Sequence, residues 1–152
     1  MNKKKLQLDQ LDRKLDKYKM ASKVTPPPSG WIRSIRLSLG MTLQQLADKL
    51  SITKQSVYEL EKREKKGSIT LKSLKEVANA MDLQLVYALV PKDGSLDLLI
   101  ERKAQELAQR IVSRTSDNMK LEAQENSNER IEKAIHQRSI TLKSEMPRVL
   151  WD

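Results

Sequence analysis

The chain has no cysteine, no phenylalanine, one histidine and four glycines in 152 residues. Without cysteine there is no disulfide framework, no thiol nucleophile and no cysteine zinc site, and His136 alone cannot build a histidine metal centre. That usage fits a reducing compartment. Lys3, Lys4 and Lys5 head no apolar run, because Asp or Lys interrupts every few residues. Neither a signal peptide nor a membrane span is therefore expected, and the reading places the protein in the cytoplasm, off the membrane. Two Trp and three Tyr are the only aromatics. The core is left to Leu, Ile, Val, Met and Ala, the residues of helix packing, which predicts a mainly α-helical fold of one or two small domains. The carboxylates are scattered along charged faces, and no Gly-rich phosphate loop, Ser-His-Asp set or paired metal ligands can be assembled. Neither catalysis nor a cofactor is expected, and His136 reads as a surface residue among Lys133, Gln137 and Arg138.

What the chain has in excess is positive charge, +9 overall. Eight Lys and Arg stand against three Asp and Glu over residues 1–29, ten against six over 30–82, and eleven against eleven over 83–152. The whole excess lies in the first half. Charge of this kind suits nucleic acid, an anionic membrane or an acidic protein, and does not by itself choose among them. Spacing has to decide.

Residues 1–24 read as an amphipathic N-terminal arm, with Leu8, Leu11, Leu15 and Tyr18 forming one narrow apolar seam. The seam suits packing within the chain's own dimer or docking on a different protein. Residues 25–30, from Thr25 through Pro26, Pro27 and Pro28 to Gly30, form a stiff linker. Over residues 31–82 four short helices follow. The first carries Trp31, Ile32, Ile35 and Leu39 and stops at Gly40. The second opens with a Thr42/Gln45 capping box and carries Leu43, Leu46, Ala47 and Leu50. Only Ser51 and Ile52 separate it from the third, which Thr53 caps and which buries Val57 and Leu60. A basic loop follows, and Thr70 caps a fourth helix bearing Leu71, Leu74, Val77, Ala78 and Met81. Residues 83–91 change period: Leu83, Leu85, Tyr87 and Leu89 alternate with their neighbours up to Pro91. This predicts a strand, paired with the same strand of another copy as a two-stranded dimer ribbon, or else an apolar extension of the fourth helix. Residues 95–152 form a helical C-terminal region for dimer or partner contact. It has a first helix from Ser95 bearing Leu96, Leu99, Ile100, Leu107, Ala108 and Ile111, a second over Glu129–Gln137, and an apolar ending of Val149, Leu150 and Trp151.

A tight two-helix turn that leaves polar side chains outward on its second helix suits the DNA major groove, where each base pair shows its own pattern of donors, acceptors and methyl groups. The base-contacting candidates are Lys54 for guanine acceptors, Gln55 for paired hydrogen bonds to adenine, Glu59 for a cytosine amine, and Tyr58 for a methyl or phosphate. The phosphate-contacting candidates are Thr42, Gln44, Ser56, Lys62, Arg63, Lys65 and Lys66. Two such third helices of a homodimer would enter successive major grooves of a palindromic operator, about 34 Å apart.

The segment resembles the helix-turn-helix of phage repressors and Cro, the XRE family. Ala47, Val57 ten residues later, then Leu60 and Glu61 stand at that family's signature positions, over roughly a third of the chain. The resemblance implies a lambda-repressor-like domain and a structural pair, Arg36 with Glu61, tying the first helix to the end of the third. Ser51 replaces the usual turn glycine. Leu43 stands where many members carry a phosphate-contacting Gln, which leaves that contact to Thr42, Gln44 and the basic loop. More narrowly, the run from Trp31 through Leu89-Val90-Pro91-Lys92-Asp93-Gly94-Ser95-Leu96 and the ending Leu150-Trp151-Asp152 resemble the mobile mystery protein A family. That resemblance implies a bacterial antitoxin-like autorepressor of a neighbouring Fic-domain protein, contacted through the arm and the neutral C-terminal region. Thr141 and Glu145 have the spacing of a helix carried by some Fic inhibitors, though Met146 follows where those have Gly or Asn. The alternative is a protein-binding inhibitor module whose helix-turn-helix no longer binds DNA, which Leu43 and the apolar ending favour.

Overall fold

The computed structural model describes residues 2–121 and 128–152, which fall into two compact units. One comprises Ser22–Ala88; the other combines Met1–Ala21 with Leu89–Asp152.

The first unit holds α2 (Trp31–Ser38), α3 (Leu43–Leu50), α4 (Lys54–Lys66) and α5 (Leu71–Ala80). Three of these start on a threonine whose hydroxyl accepts the backbone N–H three residues on: Thr42 from Gln45, Thr53 from Ser56 and Thr70 from Ser73, each at 3.1 Å. The expected Thr42 capping box is complete, since the Thr42 N–H donates back to Gln45 Oε1 at 2.8 Å. All four helices also end alike. A residue at positive φ (Gly40, Ser51, Gly67, Asp82) closes each of them. The N–H after it reaches back to a carbonyl of the last turn: Met41 to Arg36, Ile52 to Ala47, Ser68 to Arg63 and Leu83 to Ala78. This is the Schellman closure, which satisfies carbonyls that the helix itself leaves without donors. Ile32, Leu46, Ala47, Val57, Val77 and Met81 form the core, with Ile35, Leu43, Leu50, Leu60 and Leu74 packed around it.

Two expectations change here. The basic stretch after Leu60 is not a loop: α4 continues through Lys62, Arg63, Lys65 and Lys66, and turns only at Gly67. No helix breaker precedes Gly67, and cations in a last turn lie favourably at the negative end of the helix dipole. The predicted strand over residues 83–91 is also absent, as is any other strand among the described residues, and α5 does not extend into it. Period-two alternation fits any extended backbone, but a ladder needs a second strand and the described chain offers none. After the closure at Asp82 the segment runs out with Val86, Tyr87 and Leu89 exposed.

The second unit packs α1 (Lys3–Asp16), α6 (Leu96–Leu121), α7 (Asn128–Glu145) and a short 3-10 turn over Arg148–Trp151. Ile100, Ala104, Leu107, Ala108, Leu142 and Leu150 make its core. The apolar C-terminal residues are thus partly docked: Leu150 is fully buried, while Val149 and Trp151 stay exposed. The N-terminal seam lies against its own α6, with Leu8 on the core and Leu11 left exposed. Asp12 of α1 caps α6 from a distance, accepting the Leu96 N–H at 2.7 Å and the Asp97 N–H at 3.1 Å. The α7 helix is twice as long as its sparse apolar residues announced. At the start of α6, Arg102 donates to Asp93 at 2.8 Å and to Glu106 at 2.8 Å, and these hydrogen bonds hold both carboxyls below the ordinary carboxylate range.

Candidate nucleic-acid interface

The geometry of the candidate interface follows from how α4 is held. Its inward face carries Val57 and, one turn on, Glu61, both buried. Glu61 receives the Arg36 guanidinium at 2.6 Å through Nε and 3.4 Å through Nη2, while Nη1 donates to the Met41 carbonyl at 3.0 Å. The Arg36–Glu61 pair implied by the resemblance is therefore formed, and it is almost fully buried. It locks α2 to α4 and to the loop entering α3.

A second lock lies beside it. The α2 helix starts at Gly30 and has no capping side chain of its own. The Glu64 carboxylate takes that place, accepting the Trp31 N–H at 2.8 Å and the Ile32 N–H at 2.7 Å. Carboxylates at a helix N-terminus satisfy free donors and meet the positive end of the dipole. Gly30 is needed for this approach: its φ is +87°, and a Cβ there would fall 2.9 Å from Glu64 Oε2. Glu64 was hidden in the sequence among four cations. The available signals were its position seven residues after Val57, on the inward face, and the lack of a capping residue ahead of Trp31.

With α4 fixed on its inward side, the opposite side is free. Gln55, Glu59, Lys62 and Lys66 recur at steps of four, three and four, so they form one stripe along the outer face. Gln55 Nε2 donates to Glu59 Oε1 at 3.3 Å. Lys54, Tyr58 and Lys65 flank the stripe on one side, and the Lys62 ammonium sits 5.2 Å from the centre of the Tyr58 ring, within cation–π range. Ser56 and Arg63 flank it on the other side, where they line an open groove with Ser73 and Glu76. All of these side chains are exposed except Glu59 and Ser73, which are half-buried.

The two candidates on α3 stand apart from this stripe. The Thr42 hydroxyl is engaged in the capping box, and Gln44 Nε2 donates to Asp48 at 2.8 Å. Leu43 between them packs on the core. Ser56 Oγ lies 2.8 Å from Thr53 Oγ1, tying it into the α4 cap. In the other unit, His136 is exposed at the rim of a groove of about 580 Å³ in which Lys143 pairs with Asp97 at 3.0 Å and Glu101 at 3.4 Å. Thr141 and Glu145 are exposed on α7, and Met146 after them has φ +46°, the left-handed conformation that Gly and Asn enter most readily.

Residues 32–87 match the Helix-turn-helix family, a span that runs from the second residue of α2 through α5 into the extended segment behind it. No curated protein and no solved structure matches the chain. The family match supports DNA binding and transcription regulation. Among the described residues no helix is long and apolar enough to cross a membrane.

Proposed function

We propose that the chain is a sequence-specific DNA-binding transcriptional regulator without catalytic activity, acting in the bacterial cytoplasm as a dimeric autorepressor. The observation that carries this reading is the exposed stripe on α4. A helix clamped from behind by Glu61 and Glu64 presents Gln55, flanked by Lys54 and Tyr58, at the end that follows the tight turn. In this reading Gln55 pairs with adenine, Lys54 with guanine, Glu59 accepts from cytosine and Tyr58 meets a methyl or phosphate. Lys62, Arg63, Lys65 and Lys66, with Ser56, Thr42 and Gln44, bind phosphates and set the register. Two copies on a palindromic site would place their α4 helices about one helical turn apart.

The resemblance to the mobile mystery protein A family supports the finer part of the reading, an antitoxin-like role toward a Fic-domain protein. The exposed Thr141 and Glu145, followed by a left-handed residue, support placing that contact on the C-terminal region. Co-expression with the product of an adjacent Fic-domain gene should give a stable complex. Free passage of the two proteins through gel filtration would remove the partner from the account.

The DNA reading is tested by salt-titrated binding of the full chain to the DNA upstream of its own gene and to a scrambled duplex. The expected result is a preference for the native sequence and an affinity that falls linearly with the logarithm of salt, by about 0.9 per phosphate neutralised. Binding indifferent to both sequence and salt would end it, and would favour the protein-binding alternative that the core-packed Leu43 already fits.

A further inference from the structure

The positive charge of the first half does not all belong to α4, and α1 keeps its acids off one side that carries only cations and amides among its polar residues. At 100° per residue, Leu8 and Leu15 fall within ~20° of one another and mark the side that meets α6. Asp9, Asp12 and Asp16, the only acids of α1, all lie within roughly 100° of Leu8 on one flank of that side. Each is occupied. Asp12 caps α6, Asp16 pairs with Lys19 at 2.9 Å, and Asp9 is half-buried beside Lys5 in the groove against α6 and α7. The far side carries Lys3, Arg13, Lys14 and Lys17 together with Gln7 and Gln10. All six are exposed, and none of the four cations forms an ion pair with a described residue. They stretch over about 21 Å of helix axis, roughly six base-pair steps.

We propose that this outward face of α1 is a second DNA-contacting surface, binding the phosphates of a duplex without reading its bases. The inference rests on the DNA reading for its partner but not for its sequence preference. An anionic membrane is the weaker fit. Helices that lie on membranes insert a continuous apolar face, whereas α1 packs Leu8 on its own core and leaves exposed only Leu6 and Leu11, which lie about 140° apart around the helix and make no such face. Four unpaired cations with two amides and no carboxylate between them match a phosphate backbone, which accepts from Lys, Arg and Gln alike. None of the three acids of α1 lies on the outer side, where it would repel the same phosphates.

The test compares the full wild-type chain with three variants on an operator duplex, a scrambled duplex and vesicles rich in phosphatidylserine. The first variant is Arg13→Gln/Lys14→Gln/Lys17→Gln. The second is Lys133→Gln/Arg138→Gln/Arg148→Gln, which removes equal charge from the C-terminal region. The third is Arg13→Lys/Lys14→Arg/Lys17→Arg, which keeps the charge; circular dichroism checks that all remain helical. The first variant should lower the slope of log K against log salt by about two to three on both duplexes, since each lost phosphate contact removes about 0.9. The second and third should keep the wild-type slope. An unchanged slope in the first variant overturns the inference while leaving sequence-specific binding intact. An equal fall in the second reduces the effect to net charge and also overturns it. Loss of vesicle binding with an unchanged DNA slope assigns the face to a membrane instead. If the native sequence shows no preference but the slope still falls, the DNA-reading role of α4 fails and the α1 surface stands. A wild-type chain that binds neither duplex overturns both.

Discussion

Glu61→Gln keeps the size of the side chain and removes its charge, which makes it the cleanest probe of how α4 is anchored. Arg36 and Glu61 are 6 % and 5 % exposed, so the guanidinium would be left buried without a counter-charge. Breaking one partner of a buried ion pair costs about 3–5 kcal/mol, against a total stability of about 5–15 kcal/mol for a small domain. At roughly 4–8 °C per kcal/mol, the melting temperature of the Ser22–Ala88 unit should fall by at least about 12 °C. Replacing both partners should behave differently. Arg36→Met/Glu61→Leu removes the desolvated charges together and leaves only the Met41 carbonyl short of one donor, a loss of about 1 kcal/mol that apolar packing largely offsets. The double variant should therefore melt within about 10 °C of wild type and well above the single one. The two tryptophans make the assay specific, because Trp31 lies in one unit and Trp151 in the other. In a Trp151→Phe background, fluorescence follows the Trp31 unit alone. A single variant that melts like wild type, or a double variant as unstable as the single, would refute the argument from uncompensated charge.

Three further outcomes follow from the same geometry. Ser51 holds φ +56° with its side chain exposed. Ser51→Gly should relieve about 1–2 kcal/mol of left-handed strain against about 0.5–1 kcal/mol of added unfolded-chain entropy, raising the melting temperature by a few degrees; a fall would mean the turn is not left-handed in solution. Glu64→Ala strips two backbone donors of α2 of their acceptor and should cost about 1–2 kcal/mol in the Trp31-reported melt, on the scale of a lost helix cap, with no effect on the Trp151 unit. Asp12→Ala should do the reverse, costing about 1–3 kcal/mol in a melt reported by Trp151 in a Trp31→Phe background. A loss seen by the wrong tryptophan in either case would contradict the assignment of these caps.

What could be read in the sequence was local. Thr42, Thr53 and Thr70 were legible because a cap and its recipient are three residues apart, and Gly40 because a left-handed helix end favours glycine. Arg36 and Glu61 came from family resemblance, since nothing in periodicity joins residues 25 apart. Glu64 and Asp12 were missed for the same reason: their recipients lie 32 and 84 residues away, and an acid among lysines reads as a solvated charge. The dense charge of residues 62–66 suggests a loop, although Lys, Arg and Glu are good helix formers and α4 runs through them. Leu83–Val90 misled because alternation reports an extended backbone and not the partner a strand requires. The side chains of the candidate interface were legible because their evidence is an absence of packing. Lys54, Gln55, Tyr58 and Lys66 occupy positions that no core pattern claims, and all four are exposed.

The central claim, that the outer face of α4 reads bases, is tested most directly by measuring the DNA sequence preference of Gln55→Ala beside Lys66→Ala on a randomised operator library. The account predicts that Gln55→Ala loses about 1–3 kcal/mol of discrimination at one base pair of each half-site. Lys66→Ala should weaken all sequences alike and flatten the salt dependence by about one unit. A Gln55→Ala protein with an unaltered preference would contradict the claim.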